Sequence, residues 1–294
     1  MPYRPPIFLD WTGMFPLEKC QNADGGWPYH TGGSSWTEPT AYAILALMTR
    51  GTVTEPVARG LQWLEAAQHP DGGWSPHPAV RESTWVTAVV ALLIPAVLGH
   101  SIYERAVNWI LARSGDDTGL LIRVRQFLTG NSQNSPGWPW FPGTSAWVTP
   151  TALSMLALRK ALRHSNSPRI RARLDAGVAC LLERVCSDGG WNHGAPQALG
   201  YDARSYPETT GVALLALAGR DAPAIPGACN WARQALTNCS TSEGQSWLRL
   251  GLLAYGQLPA GSTPTARPPR TIQHAALALL ADAACHGLNA FLEG

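Results

Sequence analysis

The sequence predicts an all-α fold, an α/α toroid of about five to six inner and outer helix pairs. Three observations predict it: a tryptophan-containing phrase recurs, an apolar helix follows each copy, and charged amphipathic stretches lie between these helices. The copies of the phrase are Gln21–Trp27, Gln68–Trp74 and Ser187–Trp191, with a weaker one at Asn134–Trp138. Their tryptophans are 47, 64 and 53 residues apart, a spacing typical of stacked supersecondary units.

The helices that follow the phrase are apolar on nearly every face, which indicates burial on all sides. These predicted inner helices contain Thr40–Leu47, Thr87–Ile94, Thr151–Leu158 and Thr210–Leu217, with a fifth over Ser246–Gly256. The stretches between them carry charge on one face and predict outer helices. The clearest of these stretches are Val57–Gln68, Tyr103–Arg113, Ile170–Arg184 and Cys229–Leu236.

The predicted organisation is one toroid domain over residues 1–294, because no linker divides the chain into two parts. Residues 116–135 fit the repeat poorly and are predicted to be an insertion. Residues 259–270 are rich in Pro, Gly and Thr. They are predicted to connect the repeats to a last helix that runs from Thr271 to about Leu292.

The composition excludes several classes of protein. Hydrophobic residues make up 45% of the chain and charged residues 14%, which excludes a disordered chain, and a formal net charge of +2 does not favour a nucleic-acid partner. The longest apolar run, residues 85–98, contains Pro95 and is too short for a membrane span of about 20 residues, so it predicts a buried helix. The first ten residues have no apolar signal region, and the six cysteines form no CxxC pair. We therefore expect a cytoplasmic protein with free thiols.

The phrase Gln…Asp-Gly-Gly-Trp followed by Thr-Ala-x-Ala-Leu-x-Ala-Leu resembles the repeats of squalene–hopene cyclases and related terpene cyclases. Protein prenyltransferase β-subunits share the same toroid. The resemblance covers about residues 17–256. In the phrase, the paired glycines permit a turn with positive φ, and the glutamine and tryptophan are expected to connect neighbouring units by hydrogen bonds and stacking. The repeats therefore predict the fold more directly than the chemistry.

Two glutamates are the candidate catalytic residues. Proton-initiated terpene cyclases carry Asp-x-Asp-Asp-Thr-Ala, whose middle Asp donates the proton, and the resemblance places Glu38 and Glu208 at that middle position. The flanking acids are replaced, the first by Trp36 and Tyr206, so a lone glutamate needs desolvation to raise its pKa. Alternatively, both glutamates are helix-start residues favoured by the helix dipole.

The two glutamates are expected to face each other across the cavity at about 15–20 Å, given helices spaced ~8–10 Å apart. Glu38 is favoured as the donor because Pro39 removes a backbone N–H that would otherwise stabilise its carboxylate.

Five aromatic residues are the candidate substrate-binding residues, because they are predicted to line the mouth of the cavity: Trp36, Tyr42, Trp85, Trp147 and Tyr206. Aromatic ring faces stabilise cations by ~1–2 kcal/mol each where water is excluded. The alternative is that these side chains anchor the core of the repeat.

No metal and no cofactor are expected. Asp116 and Asp117 are the only adjacent acids, and they lack the third acid of a metal-dependent pyrophosphate ioniser, so they are read as a loop turn. The Asp-x-Cys pair of the zinc-dependent protein prenyltransferases is absent. Cys285 and His286 form a Cys-His-Gly step with Gly287 that is similar to one in lanthionine cyclases, but the sequence offers no convincing third ligand.

The resemblance implies an isoprenoid-processing enzyme similar to a proton-initiated terpene cyclase, acting in a central aromatic-lined cavity on a hydrophobic isoprenoid. The alternative is a non-catalytic toroid that binds a lipid, an isoprenoid or another protein. A zinc-dependent transferase or a lanthionine-type cyclase is less favoured. Because bifunctional terpene cyclases are usually built from two such domains, a partner protein that completes the site is left open. A peripheral membrane contact is left open as well.

Overall fold

The computed structural model describes residues 16–51, 53–115, 135–198, 201–258 and 267–293. These ranges contain eleven α-helices and two short antiparallel strand pairs. The helices are α1 (Thr37–Met48), α2 (Glu55–Ala66), α3 (Val86–Val90), α4 (Pro95–Leu98), α5 (His100–Ala112), α6 (Val148–His164), α7 (Pro168–Leu182), α8 (Pro207–Ala216), α9 (Ala224–Asn238), α10 (Ser242–Leu253) and α11 (Ile272–Cys285). The paired strands are β1 (Trp138–Pro139) with β2 (Ala146–Trp147), and β3 (Gln197–Ala198) with β4 (Tyr201–Asp202).

Six helices form a closed inner ring. In the order α1, α3, α6, α8, α10 and α11, each packs against the next, and α11 packs back against α1. Helices α2, α5, α7 and α9 lie outside and pack against the inner helix that precedes them. The predicted α/α toroid is therefore confirmed, and all four helices that follow the tryptophan phrase lie in the inner ring.

The inner helices form because their side chains are apolar on all sides and small enough for close contact. In α1, every residue from Pro39 to Leu47 is buried. The closest approach joins α8 to α10, where a Cβ added at Gly211 would lie 2.2 Å from the carbonyl carbon of Trp247. One added at Gly251 would lie 2.6 Å from the carbonyl oxygen of Gly211. Only glycine fits at these two positions.

We expect Gly211→Ala to destabilise the protein by about 2 kcal/mol or more, because the added methyl group meets backbone that cannot move aside. Gly227→Ala is the matched control, since Gly227 in α9 faces open space and alanine there raises helix propensity by up to about 1 kcal/mol. Chemical denaturation of both variants gives the measurement. Equal stability of the two variants would show that α8 and α10 are not in close contact.

The recurring phrase connects each outer helix to the next inner helix. The backbone N–H of each phrase tryptophan donates to the threonine hydroxyl that begins the apolar run, in the pairs Trp27–Thr40, Trp74–Thr87, Trp138–Thr151 and Trp191–Thr210. The expected positive φ is found at the first glycine of each pair, for example 97° at Gly25. The amide of Gln21 donates to the carbonyl oxygens of Gly25 and Pro56. The phrase therefore satisfies backbone groups that burial would otherwise leave unpaired.

The structure corrects the prediction of one buried helix over residues 85–98. Helix α3 ends at Val90, and a separate helix α4 starts at Pro95. The residue before a proline is disfavoured in helical conformation, and Ile94 is extended, with φ −70° and ψ 163°. Similarly, α11 ends at Cys285 instead of continuing to about Leu292, because Gly287 adopts a φ of 91°.

Several predicted features lie outside the described residues. They include Asp116, Asp117 and nearly all of the predicted insertion at 116–135, together with 259–266 of the predicted connection. None of the described helices is long and apolar enough to cross a membrane. The six cysteines, all within the described ranges, form no disulfide, and five of them are buried.

Candidate functional site

One rim of the inner ring brings polar side chains together. Helices α8, α10, α11 and α1 follow one another around the ring, and their first turns carry Glu208, Glu243, Gln273 and Glu38. Each of these four residues lies two positions after the N-cap residue of its helix. We call the group formed by Tyr29, Glu38, Glu243, Gln273 and His274 the rim cluster.

Glu38 is the centre of the rim cluster. The Tyr29 hydroxyl donates to its Oε2 at 2.5 Å, and the Gln273 Nε2 donates to its Oε1 at 2.7 Å. The pKa of Glu38 is raised from 4.5 to about 7, chiefly by burial and also by the nearby charge of Glu243, whereas the Tyr29 hydrogen bond and the positive charge of His274 lower it. The effect of burial is larger than the opposing effects of Tyr29 and His274, so Glu38 exchanges its proton near neutral pH.

Tyr29 is a fixed hydrogen-bond donor to Glu38. Its backbone carbonyl oxygen accepts a hydrogen bond from the N–H of Ile272 at 2.9 Å, which ties this segment to the start of α11. Burial and the neighbouring Glu38 raise the pKa of the Tyr29 hydroxyl. The hydroxyl therefore keeps its proton and directs it at the carboxyl group.

Glu243 and His274 form an ion pair beside Glu38 when His274 is protonated, with 3.2 Å between Oε2 and Nε2. Thr241 and Thr271 position the two residues, because each threonine hydroxyl caps its helix by accepting a backbone N–H, from Gly244 and His274 respectively. The pair modulates the proton affinity of Glu38, since Glu243 favours its neutral form and His274 its charged form.

Glu208 has a different environment. Its Oε1 accepts a hydrogen bond from the Thr241 hydroxyl at 3.1 Å. Helices α1 and α8 are three positions apart in the ring of six, so they lie on opposite sides of it. The separation of about 15–20 Å between Glu38 and Glu208 that helix spacing implies stays a prediction. The two carboxyl groups therefore have separate partners.

Two of the five candidate aromatic residues lie beside the rim cluster. Trp36 packs edge-on against Tyr29, with 5.5 Å between ring centroids, and against His77 at 4.7 Å. Tyr42 lies one turn deeper than Glu38 and is 1% exposed. It packs against Trp247 and Phe291, with ring centroids 6.4 Å away in both cases.

The other three candidates contact different groups. Trp85 packs against Trp140 at 4.7 Å. Trp147 and Tyr206 are 37% and 48% exposed, and Tyr206 lies 5.0 Å from the ring of His193. Neither of these two ring contacts involves a residue of the rim cluster.

Trp85 lies two residues before Thr87, as Glu38 lies two residues before Thr40, but the structure does not match these two positions. The residue that pairs with the phrase tryptophan lies three residues before the threonine in this unit and four residues before it in the first unit. The backbone N–H of Thr84 donates to the carbonyl oxygen of Trp74, as that of Trp36 does to Trp27. Thr84 is therefore the counterpart of Trp36, and Trp85 lies one position before the residue that would match Glu38.

Sequence reasoning did not find Tyr29, Glu243, Gln273 or His274. Helices α10 and α11 lack the threonine followed by Ala or Gly that marks the start of the apolar run in the other units and led to Glu38 and Glu208. The usable signal was the capping threonine, since Glu243 and Gln273 each follow one by two residues. A search for polar residues two positions after Thr271, where the last helix was predicted to begin, would have found Gln273. Glu243 lies before the predicted start of the fifth inner helix at Ser246 and would have been missed.

Cys285 and His286 do not share a ligand site. The Cys285 sulfur accepts a hydrogen bond from Arg249 Nη2 at 3.2 Å, and the Nδ1 of His286 lies 2.9 Å from the carbonyl oxygen of Asp282. Within the ranges that the structure describes, no group of three or more His, Cys, Asp or Glu side chains could hold a metal ion.

No family model matches the chain, and no curated protein does. Its structure is similar to that of the type II terpene cyclase MstE from Scytonema, with 20% identity, 96% of this chain and 76% of the cyclase covered, and a TM-score of 0.54. MstE is also known in complex with its substrate, geranylgeranyl dihydroxybenzoate (19% identity, 94% and 75% covered, TM-score 0.54). The likeness shows that the chain shares the α/α-toroid fold of these cyclases over most of its length.

Two further structures share the fold. The ent-copalyl diphosphate synthase from Streptomyces platensis is 19% identical, with 86% of this chain and 50% of the synthase covered and a TM-score of 0.54. An α-1,6-mannanase from Salegentibacter, in complex with α-1,6-mannotriose, is 10% identical, with 94% and 100% covered and a TM-score of 0.62. The same toroid therefore occurs in proteins of different chemistry.

Proposed function

We propose that the protein is an isomerase of the proton-initiated terpene-cyclase type, in which Glu38 protonates a carbon–carbon double bond of an isoprenoid. The observation that carries this proposal is the environment of Glu38, a carboxyl group with a pKa of about 7 and two hydrogen-bond donors at the rim of the inner ring. An acid whose pKa lies near the working pH is the most effective proton donor.

The chemistry requires an acid that stays neutral until it reacts. The O–H bond of Glu38 breaks, a C–H bond forms on the alkene, and the positive charge appears on the more substituted carbon. Tyr29 and Gln273 then stabilise the carboxylate that is left, because both donate hydrogen bonds to it and such bonds strengthen when the acceptor is charged. Ring closure and loss of a proton back to a carboxylate complete an isomerisation that needs no metal.

The carbocation needs an electron-rich surface near Glu38. Tyr42 and Trp36 are the nearest candidate aromatic residues, one turn below Glu38 and next to Tyr29 respectively. Aromatic faces contribute ~1–2 kcal/mol each to such a cation in the absence of water. The isoprenoid class of substrate is supported by the fold shared with MstE, which was solved with a geranylgeranyl compound.

A second candidate function is binding without catalysis, and the packing below Glu38 favours it. Tyr42, Trp247 and Phe291 are at most 5% exposed and contact one another, so the aromatic residues here form a filled layer. Catalysis by Glu38 requires that a substrate displaces part of this layer. In the binding function the layer stays closed, and any ligand stays chemically unchanged.

Incubation of the purified protein with linear C15–C30 isoprenoids separates the two functions. We expect cyclised products of unchanged mass, detected by gas chromatography with mass spectrometry. Glu208→Gln is expected to keep this activity, because the helix of Glu208 lies across the ring from that of Glu38 and the bond of Glu208 to Thr241 can form with glutamine as well. Isoprenoids that bind but are recovered unchanged would support the binding function, and loss of activity in Glu208→Gln would move the donor role to Glu208.

A further inference from the structure

A cavity lies at the end of the toroid opposite the rim cluster. It has a volume of about 440 Å³, within the range of small-molecule sites. Most of its lining residues are apolar. Leu45 and Met48 lie at the end of α1, Leu93 and Ile94 lie between α3 and α4, and Val97 lies in α4. Lys160 of α6 contributes a charged group to this lining.

Lys160 is buried, with 3% of its surface exposed. Its Nζ donates to the carbonyl oxygens of Leu92 at 2.8 Å and Ala290 at 2.6 Å. Both acceptors are neutral, and among the described residues no carboxylate lies within ion-pair distance of Nζ. An ammonium group has three N–H donors, so one remains for a further acceptor. Burial lowers the pKa of Lys160 to about 8, which shows the cost of holding this charge without an anion.

Among the described residues, no other charged group around the cavity forms an ion pair with Lys160. Arg50 pairs with Glu18 at 2.5 Å, and Arg163 lowers the pKa of Lys160 by charge repulsion. Glu293 also lines the cavity and raises that pKa, but its Oε1 accepts the backbone N–H of Asn289 at 3.1 Å. The cavity is therefore an apolar space with one buried positive charge that lacks a paired anion.

We infer that this cavity binds a free single-chain aliphatic carboxylic acid, with its carboxylate on Lys160 and its chain against the apolar lining. A carboxylate on Nζ forms a charge-assisted hydrogen bond and removes the cost of an unpaired buried charge. An alcohol of the same length would keep the apolar contacts without this gain. The inference does not depend on the proposed reaction, because the cavity and the rim cluster lie at opposite ends of the inner helices.

Calorimetric titration of the whole protein with dodecanoate and with dodecanol below their aggregation limits tests the inference. At pH 7 we expect one dodecanoate per chain, bound at least tenfold more tightly than dodecanol. Because the free Lys160 loses its proton near pH 8, the preference for the acid should fall at least tenfold between pH 7 and pH 9.5. Equal affinity for the acid and the alcohol, tighter binding of dodecylamine, or a preference that does not change with pH would overturn the inference.

Two variants complete the test. Lys160→Met keeps the apolar stem and is expected to lose the preference for the acid while still binding dodecanol. Because it also removes the hydrogen bonds to Leu92 and Ala290, its fold is checked by circular dichroism, and Val97→Trp provides an independent variant that fills the cavity without changing Lys160. We expect Val97→Trp to lose both ligands, and unchanged dodecanoate binding in this variant would place the acid elsewhere.

Discussion

Glu38→Gln is expected to lose about 10²–10⁴-fold of the isoprenoid cyclisation rate, the range that general acids contribute. Glutamine has the shape of the protonated glutamic acid but cannot release a proton to an alkene. It can still accept the hydrogen bond of Gln273 and donate to the Tyr29 hydroxyl, so the rim cluster should keep its geometry. The measurement is the single-turnover rate with the enzyme in saturating excess over the substrate, which reports the chemical step rather than product release.

Glu55→Gln is the matched control for this substitution. Glu55 begins the outer helix α2, and 73% of its side chain is exposed, so the same chemical change there should leave the rate unaltered. The result that contradicts the proposal is an equal rate for Glu38→Gln and Glu55→Gln. Glu38 would then be a structural residue at the start of α1, the alternative that its sequence position also allowed.

The same Glu38→Gln substitution is expected to stabilise the protein above pH 7. The pKa of Glu38 is raised from 4.5 when the chain is unfolded to about 7 in the folded protein, so between these values the folded protein binds more protons than the unfolded chain. Its stability therefore falls as pH rises through this window and stays lower above it. Since each pKa unit corresponds to about 1.4 kcal/mol, the full effect is on the order of 3 kcal/mol.

The check is the free energy of unfolding by urea at pH 4.5 and at pH 8 for wild type and Glu38→Gln. We expect similar stability for the two proteins at pH 4.5, where Glu38 is neutral in the folded protein, and a more stable variant at pH 8. A variant that is equally or less stable than wild type at pH 8 would mean that Glu38 is not an ionised, desolvated group there. A gain in stability together with a loss of activity is the pattern of an active site built at a cost in stability.

The four polar residues that lie two positions after a helix N-cap show which part of the site could be predicted from the sequence. Glu38 and Glu208 were found because each lies two residues before the threonine that begins the apolar run of its helix, Thr40 and Thr210, and helical spacing is a local property of the chain. Glu243 and Gln273 occupy the same position in helices without that threonine. Their place beside Glu38 depends on the packing of α10 and α11 in the ring, which the sequence does not show.

The sequence by itself determined the toroid, the order of its first inner and outer helices, and the place of Glu38 in the first turn of α1. These features follow from apolar periodicity and from a recurring turn, which act over a few residues. Only the tertiary structure decided which groups surround Glu38, since Gln273 is 235 positions away and reaches it because α11 closes the ring against α1. The raised pKa of Glu38 and the unpaired charge of Lys160 arise from burial among residues distant in the chain, which no local pattern encodes.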